Sequence, residues 1–266
     1  MRSVNFPVAQ LSAAFLVFLL SGCYKTIPEP PEVVNGCRIT AFGTSDGGTF
    51  SPGVIVTYNA AGNPTEFAAN PPGQLNGMTW YDLHFRYDAY QRLTDCMLNY
   101  ADATGAVIWH RYSYPGPKTI IDSSYDYSNA VVDGPPPTTS GDIYVDTLRL
   151  DDKDRIISDN GTAFKYDRNG DLIRPGVSYD NKVSLWRTNA VLMFIAKDFS
   201  LHNALNGIPN ALTPLAISSY NSHGLPLEFD VLPGGSVPTI LSSGFIIEFS
   251  TDLQIRYDCS GRSGKD

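Results

Sequence analysis

Tyr166-Asp167-Arg168-Asn169-Gly170-Asp171-Leu172 is the stretch on which the fold is decided. An aromatic strand former is followed by an Asp whose side chain can bond its own backbone, then by a Gly that takes positive φ without penalty. An apolar residue resumes the strand pattern, so the unit reads as strand, tight turn and returning strand. The same order recurs in Tyr58-Asn59-Ala60-Ala61-Gly62-Asn63-Pro64, Tyr87-Asp88-Ala89-Tyr90-Gln91-Arg92-Leu93 and Tyr220-Asn221-Ser222-His223-Gly224-Leu225-Pro226. Looser copies are Tyr100 to Val107, Leu150-Asp151-Asp152-Lys153-Asp154-Arg155-Ile156 and Phe249-Ser250-Thr251-Asp252-Leu253-Gln254-Ile255. Recurring hairpins predict a mainly β chain: an antiparallel meander forming a strongly curved sheet or partly closed barrel.

The segments between the turns alternate as half-buried strands do, as in Tyr81 to Tyr87, Val107 to Tyr112 and Asp142 to Leu148. One segment breaks the alternation. Thr188 is placed to cap a helix over about 188–200, in which Leu192, Ile195, Ala196 and Phe199 share one face. A single amphipathic helix packed on the sheet is expected. Asp133 to Gly141, with three consecutive prolines, reads as a loop within one domain.

Ahead of this domain stands an export signal. Arg2 precedes an apolar run from Val8 to Leu20, and Leu20-Ser21-Gly22-Cys23 has the form of a bacterial lipobox. Residues 1–22 read as a lipoprotein signal peptide, Cys23 as the lipidated residue and 23–36 as a Pro-rich tether. A single β-rich domain then runs over 37–262, with 263–266 as a tail. Tyr24, not Asp, follows the cysteine, which by resemblance to Gram-negative lipoproteins argues against retention in the inner membrane and implies the outer membrane of the cell envelope.

Here the sequence resembles the YD-repeat-like lipoproteins of Bacteroidetes, whose domains of unknown function carry Tyr-Asp-x-x-Gly-x-Leu hairpins after a lipobox. The resemblance spans about residues 37–259. It rests most closely on Tyr87-Asp88 with Arg92-Leu93, on Tyr166-Asp167 with Gly170 and Leu172, and on Tyr179-Asp180-Asn181-Lys182. Gln91 stands where Gly is usual, and the spacing between units is irregular. The resemblance implies a fold and an address and no activity.

Lipid on Cys23 leaves Cys37, Cys96 and Cys259 in an oxidising compartment. Cys37 opens the first strand-like run and Cys259 closes the last. Their bridge is the preferred pairing, while the other pairings and no bridge stay open. A Cys37–Cys259 bridge makes the first and last strands neighbours and requires the sheet to curl back on itself.

Composition excludes some functions. The 266 residues carry 27 acidic and 19 basic side chains, a net charge of −8, so nucleic acid is not an expected partner. Gly43-Thr44-Ser45-Asp46-Gly47 has the letters of a nucleophile elbow, but no helix-forming sequence follows it. Asp167, Asn169 and Asp171 are spaced like calcium ligands, yet Leu172 and Ser178 stand where Gly and Glu are required. Asp151, Asp152 and Asp154 read as a solvated turn, and His84, His110, His202 and His223 show no ligand spacing. No catalytic residue, metal ligand or cofactor is assigned. Trp109, Tyr112, Tyr114, Tyr125 and Tyr127 are a possible aromatic binding face. The expected role is binding or structural, with partners being the membrane through the N-terminal lipid and an unknown envelope protein or glycan. The alternatives are a hydrolase of an envelope or extracellular polymer and a carrier of an apolar ligand.

Overall fold

The computed structural model describes residues 36–46, 48–70, 81–100, 106–130, 134, 143–205, 215–231, 239–240, 247–248 and 253–260. The strands are β1 (Arg38–Asp46), β2 (Thr49–Tyr58), β3 (Pro64–Ala69), β4 (Tyr81–Tyr87), β5 (Leu93–Tyr100) and β6 (Ala106–Gly116). They continue with β7 (Thr119–Ala130), β8 (Ile143–Leu150), β9 (Ile156–Asp159), β10 (Thr162–Ala163) and β11 (Tyr179–Val183). A 3-10 turn (Leu185–Thr188) leads into α1 (Ala190–Ile195). The chain then forms β12 (His202–Ala204), β13 (Leu215–Tyr220), β14 (Pro226–Val231), β15 (Thr239–Ile240), β16 (Ile247–Glu248) and β17 (Leu253–Asp258).

One antiparallel sheet of 13 strands dominates, in the order β10-β9-β8-β7-β6-β5-β4-β3-β2-β1-β17-β14-β13. The meander from β1 to β10 is thus extended beyond β1 by the C-terminal strands. Cys37 and Cys259 are bridged, with an Sγ–Sγ separation of 2.08 Å. First and last strands are indeed neighbours, through Arg38↔Asp258 and Ile39↔Tyr257. Closure of the sheet, however, does not follow. The bridge lies at an internal pair, and β10 and β13 remain as edges.

Curvature has another cause. Laid flat, 13 strands would span roughly 55–60 Å at about 4.8 Å per strand. Leu148 and Ile156 near one edge and Phe229 near the other nevertheless share a single core with Trp186, Leu192 and Met193. The six residues of α1 are only about 9 Å long, so the sheet must wrap around that segment. Phe194 meets Tyr112 of β6 edge-on at 5.0 Å between ring centroids. Lys197 pairs with Asp159 of β9, and Asn189 Nδ2 donates to the Gly62 carbonyl in the turn after β2.

The helix itself is shorter than the sequence pattern predicts. Asn189, not Thr188, is the N-cap, and its Oδ1 accepts from Val191 N. The Thr188 hydroxyl is occupied by the Leu185 carbonyl in the preceding 3-10 turn. At the other end Lys197 adopts φ +49°, which stops the helix.

The recurring unit has one geometry in five copies. Oδ1 of Asn59, Asp88, Asp151, Asp167 or Asn221 accepts the backbone N–H groups two and four residues ahead. The residue three ahead has positive φ every time: Gly62, Gln91, Asp154, Gly170 and Gly224. In four of them a register shift marks a bulge on the returning strand, where Thr65, Thr94, Ile157 or Leu227 is the extra residue. Tyr100 to Val107 and Phe249 to Ile255 lie largely outside the described residues.

Candidate functional site

The tyrosines of the repeat point to a structural use. Five tyrosine hydroxyls reach back to the carbonyl of the residue five past the Asx of a neighbouring unit, while Tyr220 bonds Asp180 instead. Tyr87 Oη donates to Pro64 O, Tyr114 to Leu93 O, Tyr166 to Ile156 O, Tyr179 to Leu172 O and Tyr257 to Pro226 O. Tyr58 makes the corresponding bond to Ile39 O, beside the disulfide. Burial raises these phenols, that of Tyr179 to about 12, so they remain donors at neutral pH. Arg92 and Arg155 add a second clamp. Each pairs with the carboxylate of its own turn, Asp88 or Asp151, and stacks on the next aromatic, Tyr114 or Tyr166.

The possible aromatic binding face does not form. Side chains alternate along β6, so Trp109 points to one face while Tyr112 and Tyr114 point to the other. Trp109 is fully buried, with Nε1 donating to Asp95 Oδ1 and the Arg86 guanidinium over its ring. Tyr125 lies directly opposite Trp109. Tyr112 belongs to the core against α1, and Tyr114 is held between Leu93 O and Arg92. The side chain of Tyr127 lies outside the described residues, as does Cys23.

What the sequence did not reveal is a polar cluster beneath the 3-10 turn. Asp171, buried by the turn it belongs to, accepts from His202 N and His202 Nδ1, the latter at 2.8 Å. Asp198 is buried beside them and accepts from Ser200 N. Burial pushes the Asp198 carboxyl up, against the pull of Arg174 and the Ser200 bonds. Asn203 bridges Asp180, Val183 O and Leu185 N, while Tyr220 Oη donates to Asp180 Oδ2 at 2.6 Å. Ser184, Trp186, Asp198, His202 and Phe229 line a cavity of about 10 Å³ here. That is room for about one water molecule and no organic substrate.

A second dyad, His110 with Asp122 at 3.0 Å, sits on the inner face of β6 and β7. His110 is opposite the free thiol of Cys96, which is buried and raised in pKa by that burial. A fully buried, protonated thiol is a poor nucleophile. The Asp167 and Asp151 turns hold no open ligand set: Asp167 bonds its own turn, Asp151 pairs with Arg155 and Asp154 with Lys118. Gly43 to Asp46 lie in β1, which is followed by β2 and not by a helix, and Gly47 lies outside the described residues.

No family model matches the chain, and no curated protein matches it. Among solved structures, a porin-like protein from Bacteroides uniformis is similar at 8% identity and a TM-score of 0.19 over 77% of this chain. The chain spans 65% of the length of that protein. A likeness this slight carries no argument. No helix among the described residues is long and apolar enough to cross a membrane.

Proposed function

We propose that this chain is a lipid-anchored protein of the bacterial cell envelope with a binding or structural role, tethered through Cys23 as the YD-repeat-like lipoproteins it resembles would be. The observation that carries the reading is the filled interior. Among the described residues the core side of the sheet packs against the chain's own Leu185, Trp186, Leu192, Met193 and Phe199, and the cavity beneath the 3-10 turn measures about 10 Å³. An apolar ligand carrier needs enclosed space of several hundred Å³. The hydrolase reading finds its best group in Asp171, His202 and Asp198, but Asp171 is bonded to His202, Asp198 to Ser200 N, and the cavity that Asp198 and His202 line is too small for substrate.

Support for binding comes from the outside. Ile143, Tyr144 and Val145 stand in succession at the start of β8 with 50%, 64% and 55% of their surface exposed. By strand alternation Ile143 and Val145 share one face and Tyr144 stands on the other, so both faces of this strand end offer exposed apolar side chains to another envelope component. The test is a photo-crosslinking amino acid at Tyr144 in living cells, with Lys153 in a turn as the control position. A discrete adduct from position 144 alone supports the reading. Fatty-acid labelling that persists in Cys23→Ser, or the absence of any adduct in the labelled protein, counts against it.

A further inference from the structure

The disulfide has a third neighbour. The β1–β17 register sets Cys37 opposite Cys259. Pairing of β14 with β17 through Glu228↔Gln254 and Phe229↔Leu253 carries the turn before β14 to the same end of the sheet. Tyr257 Oη bonded to Pro226 O fixes that approach. His223 lies in this turn, its N–H held by Asn221 Oδ1 and the next N–H held by Asn221 O. A ring nitrogen of His223 and the sulfurs of Cys37 and Cys259 all lie within 4.8 Å of one another. The cysteines stand 222 residues apart, and His223 is 36 residues before the second, so no local spacing announces the group.

The geometry points to a redox-gated metal site: on reduction of the disulfide, Cys37, Cys259 and His223 form a three-ligand Cys2His set for a borderline-soft cation such as Zn2+, with water in the fourth position. In the bridged state neither sulfur is a thiolate, so the site is shut. A dithiol reductant opens it. Two electrons pass from the dithiol to the Cys37–Cys259 bond, the dithiol closes to its own disulfide, and its two protons leave two cysteine thiols. Zn2+ then displaces one proton from each thiol and takes the lone pair of a neutral imidazole nitrogen. In a tetrahedral site with Zn–S of about 2.3 Å the sulfurs stand about 3.7 Å apart. Breaking the bond lets the sulfurs part to that distance by rotation about their Cα–Cβ bonds, and a His223 ring nitrogen already lies within 4.8 Å of both. Cys37 is buried, while Cys259 is half-buried and His223 exposed, which leaves one side of the site open to water and to the reductant. Soft ligands in this combination select Zn2+ over Ca2+ or Mg2+.

The test uses the full-length lipidated protein in detergent, carrying Cys96→Ser to remove the remaining thiol. Co2+, which reports thiolate ligation by a charge-transfer band, is titrated into oxidised and dithiol-reduced samples under anaerobic conditions. One equivalent is expected to give the band in the reduced sample alone, and Zn2+ is expected to abolish it. His223→Ala should weaken Co2+ by about tenfold or more, the range in which a lost site group falls, while leaving the melting temperature of the oxidised protein unchanged. Zn2+ should also protect Cys37 and Cys259 of the reduced protein from alkylation, read by peptide mapping. A band of equal strength in the oxidised sample, an unchanged affinity in His223→Ala, or a reduced protein without band and without protection would each overturn the site. Far-UV circular dichroism of the reduced sample distinguishes the two ways that last result could arise, and either way the proposal fails.

Discussion

The hydroxyl of Tyr87 donates to the carbonyl of Pro64 at 2.5 Å, and Pro64 is the fifth residue after Asn59, the Asx of the preceding turn. The same offset relates Tyr114 to Asp88, Tyr166 to Asp151, Tyr179 to Asp167 and Tyr257 to Asn221. The carbonyl that follows each turn thus receives a side-chain donor from the next aromatic. Tyr87→Phe should therefore cost about 1 kcal/mol, because a part-buried carbonyl loses its donor while the ring packing survives. Urea denaturation of the purified protein measures it.

Gly170 should be the least replaceable of the turn glycines. It has φ +88°, and a Cβ there would stand 2.8 Å from Leu201 Cγ, whereas Gly62 at φ +86° has open space around it. Gly170→Val is expected to cost about 2 kcal/mol or more and Gly62→Val about 1 kcal/mol, since only the first adds a clash to backbone strain. Equal melting temperatures for the two variants would contradict this.

Gln91 occupies the same left-handed position without being Gly, at φ +62°. Gln91→Gly should stabilise the protein by up to about 1 kcal/mol, offset only by the loss of the weak contacts from Asn59 and Asn63 to its Oε1. Thermal melting decides the sign.

Removing the bridge should be the costliest change at this end of the sheet. A cross-link between residues 222 apart contributes about 5 kcal/mol in the loop-closure description, which is an upper figure. Cys37→Ala with Cys259→Ala should lower the denaturant midpoint without altering the far-UV spectrum at low temperature.

Asp151 and Asp198 should respond to acid with opposite signs. Partial burial of Asp151 is outweighed by the N–H groups of Arg155 and Lys153 and by the Arg155 guanidinium, so its carboxyl lies below the usual range. Its stabilisation is present above the unfolded carboxylate pKa, near 4, and is lost as pH falls through the lower folded value. Asp151→Asn should thus be less stable than the parent at pH 7 and converge with it in acid. Asp198 is raised by burial, so the folded state holds its proton longer than the unfolded chain and stability falls as pH rises above about 4. Asp198→Asn should gain on the parent between pH 4 and neutrality, as read by denaturant midpoints across that range.

The turns were legible because their signals are local. An Asx, the N–H groups it accepts two and four residues on, and a residue tolerating positive φ all fall within five consecutive positions. Strand parity was equally legible and settles the aromatic question: Trp109 and Tyr112 are an odd number of residues apart and cannot share a face without a bulge. The insertion of β17 between β1 and β14 had no such signal apart from the two cysteines. The cluster of Asp171, Asp198 and His202 was hidden for the same reason. Asp171 and His202 are 31 residues apart and meet only because the segment between them folds back into the curve of the sheet.

Position of the bridge also governs how the fold would bear a load. A pull transmitted along the residues preceding Cys37 reaches the sheet at the first position of β1, where unprotected hydrogen bonds could break in succession. Covalent linkage to Cys259 diverts that force into β17 as well, and both strands are flanked on their outer sides by β2 and β14. Tension would then have to shear a four-strand block instead of peeling a single strand. For a chain tethered ahead of Cys37, as proposed, the bridge thereby reinforces the point of suspension.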